Sequence, residues 1–186
     1  MNLVVQPLTL DTWPDLLHLF GENGACGGCW CMWFRLTQAQ FERQKGAANR
    51  QALHDLVDAG VVPGLLAYDG SRPVAWCSVA PREEFPRLER SRILRPVDNT
   101  PVWSVVCFFV DKEYRDRGVS RRLLDAAKRW ARDQGGQVLE GYPVEPTKDR
   151  APPLFVFHGL AAAFERQGFE ECARRSPTRP IMRCRL

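Results

Sequence analysis

Long apolar segments are absent from this sequence, and tyrosine is scarce. No apolar run approaches the roughly 20 residues that cross a bilayer, so the sequence predicts no membrane span. The first residues lack the basic start and the apolar region of a signal peptide, so we expect a cytoplasmic protein. Only Tyr68, Tyr114 and Tyr142 are present, which leaves few hydroxyl groups to act as a proton donor.

The charge balance and the cysteines exclude two further classes of protein. A net charge of +4 is mild, and a nucleic-acid surface would need a broader basic face, so we expect no nucleic-acid partner. The seven cysteines are odd in number and do not form a disulfide framework, so we expect thiols. With 45% hydrophobic residues, the 186-residue chain has the size and composition of a single domain spanning residues 1–186.

The chain is organised around residues 102–134, which predict a strand, a turn and a helix. The strand is an almost unbroken apolar run from Val102 to Val110, as expected where both faces of a sheet are covered. After the turn, Leu123, Ala127 and Trp130 recur at helical spacing, so the helix packs on that sheet. A following strand from residue 138 to 142 then requires a right-handed crossover.

The turn between this strand and this helix has the composition of an anion site. The first N–H groups of a helix have no internal acceptor, and Gly118 lets a bulky anion approach the backbone. Positive charge lies on both sides of the glycine, which suits a pyrophosphate. The charges belong to Arg115, Arg117, Arg121 and Arg122. An ordinary solvated turn with a tight glycine is the alternative interpretation.

Two other segments frame this central unit. Thr37 and Gln40 have capping-box spacing, which predicts a helix from Thr37 to about Ala59. Residues 81–99 are charged and rich in proline, which predicts a loop with a short helix. Long loops of this kind often bind or cover a ligand.

The pattern Arg115-x-x-Gly118-x-Ser120 resembles the acetyl-CoA motif of the Gcn5-related N-acetyltransferases (GNAT), Gln/Arg-x-x-Gly-x-Gly/Ala. It stands between a strand and a helix as in that family, although Ser120 departs from the usual Gly or Ala. Residues 26–32 also resemble a Cys-Gly-Gly-Cys-Trp-Cys-Met stretch of a bacterial subgroup. The resemblance implies an α/β (α+β) fold with a mixed, mostly antiparallel sheet of six to seven strands flanked by helices.

The resemblance also implies acetyl-CoA as cosubstrate and the residues that would hold it. The thioester would lie where the fourth and fifth strands diverge, near the backbone N–H groups of Phe108, Phe109 and Val110. Backbone N–H groups and arginines of the turn would bind the pyrophosphate. These residues are Arg115, Arg117, Gly118, Val119, Ser120, Arg121 and Arg122.

Acid and base groups are harder to assign, because Phe164 stands where the family often has a catalytic tyrosine. Tyr142 ends the fifth strand, and Glu140 lies on the same strand face, so the two form a candidate acid and base pair. A purely structural role for both is the alternative. Cys107 and His158 are weaker candidates, since a buried cysteine and a lone histidine among aromatic residues are usually packing groups.

The cysteine-rich stretch carries two competing interpretations. Cys26, Cys29 and Cys31 have the short spacing of metal ligands, but no fourth ligand lies nearby, so we predict no metal. The adjoining side chains can instead form an aromatic acceptor wall with one anion-binding group. That wall would contain Trp30, Met32, Trp33 and Arg35. Core packing of the same aromatic residues is equally compatible with the sequence.

These observations predict an N-acetyltransferase that moves an acetyl group directly from acetyl-CoA to a primary amine of a small molecule. The family resemblance also implies a possible homodimer. Two other functions remain open at this point. One is a protein that binds acyl-CoA without turnover, because of Phe164, and the other is a thiol or metal sensor built on the three clustered cysteines.

Overall fold

A computed structural model of the chain describes residues 3–146 and 157–186. Its strands run in chain order as β1 Leu3–Pro7, β2 Gly64–Asp69, β3 Arg72–Pro81, β4 Trp103–Val110, β5 Val138–Gly141, β6 Glu170–Arg174 and β7 Pro180–Arg185. Its α-helices are α1 Trp13–Phe20, α2 Gln38–Gln44, α3 Ala47–Asp58, α4 Pro86–Glu89, α5 Val119–Asp133 and α6 Ala161–Glu165. Short 3₁₀ turns occupy Arg82–Glu84 and Lys112–Tyr114.

All seven strands form one sheet in the order β1-β2-β3-β4-β5-β7-β6. Neighbouring strands are antiparallel except β4 and β5, which are parallel and are joined through α5. The predicted fold class is therefore confirmed, as are the strand, turn and helix at the centre of the chain. The parallel pair matters most for function, because the predicted site lies between its two strands.

Helices cover the sheet on both faces, as the apolar β4 segment predicted. Leu123, Leu124 and Ala127 of α5 pack on one face together with Phe164 of α6. The other face carries α1 to α4 and the cysteine-rich stretch, with Trp76 of β3 at its centre. Burying each large apolar side chain contributes about 1.5–3 kcal/mol, so these two layers hold β4 and β5 in place.

The predicted helix from Thr37 to Ala59 is in fact two helices. Its start is correct, since Thr37 and Gln40 form the capping box. The break comes at Gly46, which has φ +87° and separates α2 from α3. Gly46 N–H donates to Gly28 O at 2.9 Å, and a Cβ on Gly28 would lie 2.7 Å from Gly46 N. This close approach of two backbone segments ends the helix. The apolar spacing that predicted one long helix contains no sign of this contact.

Within the described residues, no helix combines the length and apolarity needed to cross a membrane.

Candidate active site

The turn before α5 has the geometry of an anion-binding site. Gly118 is the N-cap of this 15-residue helix and adopts a left-handed conformation, with φ +75° and ψ +13°. Open space lies where its Cβ would stand. Arg122 N–H is bonded to Gly118 O, so the amides of Val119, Ser120 and Arg121 precede the first internal bond of the helix. A phosphate fits such a set of unshared N–H groups, which the helix dipole makes more attractive to an anion.

The arginines around this glycine are exposed and have no carboxylate partner. None of the four forms a salt bridge within residues 3–146 and 157–186. Arg115 Nε donates to Val110 O at 3.2 Å, and Arg117 lies over the Tyr114 ring at 5.7 Å. The Arg121 and Arg122 side chains are likewise exposed at the start of α5. The turn therefore keeps its positive charge for an external anion.

Strands β4 and β5 separate near the middle of β4. Their parallel pairing runs only from Trp103 and Leu139 to Val105 and Gly141. Against β3, the register of β4 shifts between residues 105 and 107, so Val106 is an extra residue in a β-bulge. Beyond this bulge, β4 continues to Val110 without β5 beside it. The divergence that the family resemblance implied is thus present.

A segment of this chain stands in the opening between the two strands. Phe108 N–H donates to Phe157 O at 2.6 Å, and His158 Nδ1 lies 3.1 Å from Val106 O. On its other side, Val144 N–H donates to Gly159 O at 2.9 Å. Residues 157–159 therefore occupy the open edge of β4, where the family resemblance placed the acyl thioester.

The three predicted β4 amides do not face the same way. Asp111 N–H donates to Val74 O on β3. Successive amides of a strand point to opposite neighbours, so Phe109 N–H also faces β3, while Phe108 and Val110 face the open edge. The sequence prediction did not take this alternation of N–H direction into account. Phe109 N–H is therefore not among the amides that can contact a thioester at the open edge.

Tyr142 and Glu140 do lie together, but inside a buried network. Both are 0% exposed, and the Tyr142 hydroxyl donates to Glu140 Oε1 at 2.6 Å. Arg82 Nη1 donates to the same carboxylate oxygen at 2.6 Å, and Arg183 Nε donates to Oε2 at 2.7 Å. Ser104 Oγ lies 2.8 Å from the Tyr142 hydroxyl oxygen.

This network neutralises its own charge. Burial, and then the neighbouring Glu140 carboxylate, raise the pKa of Tyr142 well above its usual range. Both oxygens of the Glu140 carboxylate already accept hydrogen bonds from arginines, so neither is free for an amine. The geometry favours a structural role for the pair, and their predicted role in proton transfer stays a prediction.

Phe164, at the position where a tyrosine was expected, packs beside the point where the strands part. It is buried on α6, with its ring 6.2 Å from that of Phe108 and 5.0 Å from that of Phe169. A Cβ on Gly141 would come within 2.1 Å of its ring. The side chain therefore fills the space above β5 and contributes no proton donor.

Only one of the four residues of the predicted acceptor wall faces a cavity. Trp30 and Met32 are buried in the core, where the Trp30 ring lies 5.7 Å from that of Phe20. Arg35 is buried and bonded to Glu84 and to Pro63 O, so its charge is already matched. Trp33 is 37% exposed and lines a cavity on this face of the sheet. Core packing places Trp30 and Met32, in line with the alternative interpretation, and polar bonds place Arg35.

Of the clustered thiols, Cys29 and Cys31 are shielded and have raised pKa values, whereas Cys26 is exposed. Cys31 donates to Cys107 Sγ on β4 at 3.2 Å and accepts from Trp76 Nε1 at 3.0 Å. The hydrogen bond to Cys107 raises the pKa of Cys31, and the one to Cys31 raises that of Cys29. Protonated thiols bind metals poorly. The described residues contain no group of three or more potential metal ligands.

The cavity lined by Trp33 has a volume of about 570 Å³ and lies between the cysteine-rich stretch and the loop after β3. Its described lining includes three arginines and no acidic residue. The lining consists of Trp33, Phe34, Thr37, Gln38, Arg87, Arg90, Ser91, Leu94, Phe157, His158 and Arg179. The charged loop of residues 81–99, expected to bind or cover a ligand, supplies four of them.

His158 connects this cavity to β4. A carbonyl oxygen can only accept, so the contact with Val106 O requires the proton on Nδ1 and leaves Nε2 as an acceptor. Burial, together with the nearby Arg179, lowers the pKa of His158 to about 3, so the ring is neutral at ordinary pH. A neutral imidazole with a free lone pair thus lies where the strand edge meets the cavity.

Sequence reasoning missed the cavity arginines and set His158 aside. Arg87, Arg90 and Arg179 come from two distant segments, and only the folded chain brings them to one cavity. The one available signal was the charge of the loop that contains Arg87 and Arg90. No comparable signal marked Arg179.

Comparisons with known proteins agree with this geometry. Residues 30–160 match the model of the acetyltransferase (GNAT) family. The fold is similar to that of PaiA N-acetyltransferase from Thermoplasma acidophilum in complex with coenzyme A, at 12% identity, with all of both chains covered and a TM-score of 0.55. It is similar to that of a ribosomal-protein-alanine N-acetyltransferase from Brucella melitensis, at 19% identity, with 98% of this chain and 99% of the other covered and a TM-score of 0.54.

A third similar structure is a polyamine N-acetyltransferase from Drosophila melanogaster that forms N-acetylagmatine, at 13% identity, with all of both chains covered and a TM-score of 0.56. No curated protein sequence matches the chain at a significant level. The family model spans more than half of the chain, so the protein belongs to the acetyltransferase (GNAT) family. The predictions of an acyltransferase, and of acetyl-CoA as its cosubstrate, are confirmed at the level of the family.

Proposed function

We propose that this enzyme transfers an acetyl group from acetyl-CoA directly to a primary amine of a small molecule. The observation that carries the proposal is the turn at Gly118, a left-handed N-cap at the start of α5. Its first amides precede the internal bonds of the helix, and its four arginines form no salt bridge with any residue that the structure describes. A diphosphate is the anion that this set of donors suits. Acetyl-CoA supplies the activated acetyl group when bound.

The direction of β4 supports a path from this turn to the acceptor. Val110 is the β4 residue nearest the turn, and Val106 lies at the divergence from β5. Four residues of strand span about 13 Å, and along them the amides of Phe108 and Val110 face the open edge. A thioester at this edge would replace Phe157 O as the partner of Phe108 N–H.

The cavity proposed for the acceptor amine adjoins the open edge of β4 at His158. Its Nδ1 is tied to Val106 O, and its ring lines the cavity of about 570 Å³. The neutral imidazole offers Nε2 as a hydrogen-bond acceptor for the N–H of an incoming amine. With a depressed pKa, this ring orients the amine and is a poor store for its proton. Holding amine and thioester together supplies most of the rate enhancement in this proposal.

Transfer without an acyl-enzyme fits the state of the only thiol on β4. Cys107 is buried and accepts a hydrogen bond from Cys31. A buried cysteine is usually a packing group, inaccessible to a substrate. An amine that enters the cavity with a free lone pair would attack the thioester carbonyl itself. The C–N bond of the amide then forms as the C–S bond breaks, and CoA leaves as the thiol after its sulfur takes up a proton in place of the one that the amine loses.

The test measures acetyl-CoA binding and turnover separately. Thermal unfolding of the purified protein is followed with and without acetyl-CoA, and release of free CoA thiol is followed with a panel of amines. The proposal predicts stabilisation by acetyl-CoA and amine-dependent thiol release. Stabilisation without turnover on any amine would instead support the non-catalytic acyl-CoA-binding protein, which the phenylalanine at position 164 keeps as a second candidate.

Two expectations about the setting belong to the same proposal. Seven free thiols, with the Cys31 and Cys107 sulfurs 3.2 Å apart, support a reducing compartment such as the cytoplasm. The homodimer that the family resemblance implies predicts twice the mass of one chain in light scattering.

A further inference from the structure

The arginine-lined cavity carries an inference about the acceptor, which rests on the proposed function. Arg87 and Arg90 reach it from the loop after β3, and Arg179 reaches it from the loop that leads into β7. Within the described part of the chain, none of the three forms a salt bridge, and no carboxylate lines the cavity. Three like charges thus converge on one concave surface whose described lining contains no acidic residue.

Arg87 is held in place without a salt bridge to any described residue. Its guanidinium stacks on the Trp33 ring at 3.7 Å, and Nε donates to Leu36 O at 3.4 Å. Nη2 is buried, with no hydrogen-bond partner among the described residues. Burial lowers the pKa of Arg87, and the nearby charge of Glu42, which forms no salt bridge with it, offsets only part of this effect.

Arg179 is in the same condition on the other side of the cavity. Its Nη2 donates to Tyr142 O at 3.1 Å, and its buried Nε has no partner in the described chain. Burial lowers the pKa of Arg179 to about 10. Keeping two partly desolvated guanidinium groups unpaired is costly for a fold, and an anionic ligand would offset that cost.

The rest of the lining fits the other parts of such a ligand. Trp33 and Phe157 offer apolar surface, and His158 Nε2 offers an acceptor for the amine, beside β4. A polyamine would bring only positive charge to three arginines, so it is disfavoured. A carboxylate or a phosphate would accept charge-assisted hydrogen bonds from the same groups.

We propose that the acceptor is a small primary amine that also carries an anionic group, a carboxylate or a phosphate, which Arg87 and Arg179 bind in this cavity. The amine then lies toward His158 and the open edge of β4. The two arginines are specificity-determining residues, and the donor site at the Gly118 turn is separate from them.

The experiment uses amines in pairs that differ by one charged group. Amino acids are compared with their carboxamides and phosphoethanolamine with ethanolamine, and spermidine is the purely cationic probe. Thiol release gives KM and kcat, and calorimetric titration in the presence of CoA gives affinity without turnover. We expect at least one anionic amine to exceed its neutral partner about 30-fold in kcat/KM and in affinity. Equal or better performance of the neutral partners, or of spermidine, overturns the inference.

Variants assign the effect to the arginines. Arg87→Gln and Arg179→Gln should each raise KM for the preferred amine at least tenfold and change kcat less than about threefold. Arg87→Lys should restore part of the affinity, because it keeps the charge but loses the planar donors. Arg92→Gln is the matched control, since Arg92 is exposed in the same loop and does not line the cavity. An unchanged KM in both glutamine variants contradicts the proposal.

Thermal stabilisation by acetyl-CoA distinguishes failure of the transferase proposal from failure of the anion-site proposal. If every variant keeps it and anionic amines bind better than their neutral partners without turnover, the transferase proposal fails and the anion site stands. If amines are acetylated with no preference for an anionic group, the anion site fails and the transferase proposal stands.

Discussion

Arginine serves two opposite purposes in this protein, and the difference lies in what the fold places beside each side chain. Arg82 and Arg183 converge on the buried Glu140, and their charges are matched within the chain. Around Gly118, four exposed arginines meet no carboxylate in the residues that the structure describes. The first arrangement stabilises the junction of β5, β7 and the loop after β3, and the second leaves charge available to a cosubstrate.

The same comparison explains the two interpretations of Glu140 and Tyr142. On a strand drawn in isolation, they form an acid and base pair. In the folded chain, they form the centre of a network that also ties Arg82 to Leu94 O and to Glu89. A carboxylate that two guanidinium groups already bind has little left to offer an amine.

The largest expected effect is on stability and concerns the buried network around Glu140. Glu140→Gln should lower the free energy of unfolding by about 3–5 kcal/mol, because two arginines would lose their shared counter-charge. Urea unfolding of the variant and of wild type measures this difference. Asp125→Asn, which breaks only the exposed pair with Arg129, should unfold close to wild type.

A loss no larger than that of the Asp125 control would contradict the structural role of Glu140. Tyr142→Phe adds a kinetic readout. A large fall in kcat with unchanged stability would restore the predicted role of this pair in proton transfer.

On the open side, Gly118→Glu should weaken acetyl-CoA binding by more than about 100-fold, because a carboxylate would occupy and charge the anion site. Calorimetric titration with acetyl-CoA measures the affinity. Gly135→Glu is the matched control, since Gly135 also has positive φ (+84°) and open space at its Cβ, but lies beyond the other end of α5. Both substitutions carry a similar backbone strain. Equal affinity in the two variants would remove the anion site from the Gly118 turn.

A third test concerns His158, which contacts β4 at Val106 O and lines the cavity. Its pKa is lowered to about 3 from an ordinary 6.5, so the folded state favours the neutral ring. Above about pH 6.5, the ring is neutral in both the folded and the unfolded state, so it does not change the free energy of unfolding. Between about pH 6.5 and 3, only the unfolded state binds the proton, so the free energy of unfolding falls by up to about 1.4 kcal/mol per pH unit.

Urea unfolding at pH 7 and pH 4.5 checks this expectation. In His158→Gln, the loss of stability between the two values should be smaller by about 2–3 kcal/mol than in wild type. His18→Gln, which changes an exposed histidine, should show the wild-type difference. An unchanged pH dependence in the His158 variant would contradict a buried, neutral ring.

The smallest expected effect tests single charges of the open turn. Arg121→Gln or Arg122→Gln should each weaken acetyl-CoA binding about two- to fivefold at low salt and less at high salt, because exposed charges are screened. Titrations at two salt concentrations measure this. Arg132→Gln, in the last turn of the same helix, should change neither value. Salt-independent effects would point to a structural role for these arginines.

Local patterns predicted the central unit of the fold well, because each signal acts over a few residues. The apolar run of β4, the glycine at the N-cap of α5 and the capping box at Thr37 each depend on neighbours in the sequence. The break at Gly46 escaped prediction, since it depends on Gly28, a residue of the preceding loop. The predicted acceptor wall does not include Trp30 and Met32 for a similar reason. In a sequence, an aromatic or apolar residue that lines a pocket cannot be distinguished from one that packs in the core.

By itself, the sequence determined the strand, turn and helix that we propose bind the acetyl donor, since backbone amides and a glycine at a helix start form this candidate site within one continuous segment. Only the tertiary structure decided which charges are matched and which are open. Arg82 meets Glu140 across 58 positions of chain, and Arg87 meets Arg179 at one cavity from two distant loops. Charge compensation depends on distance in space, and a linear pattern of residues does not contain that distance.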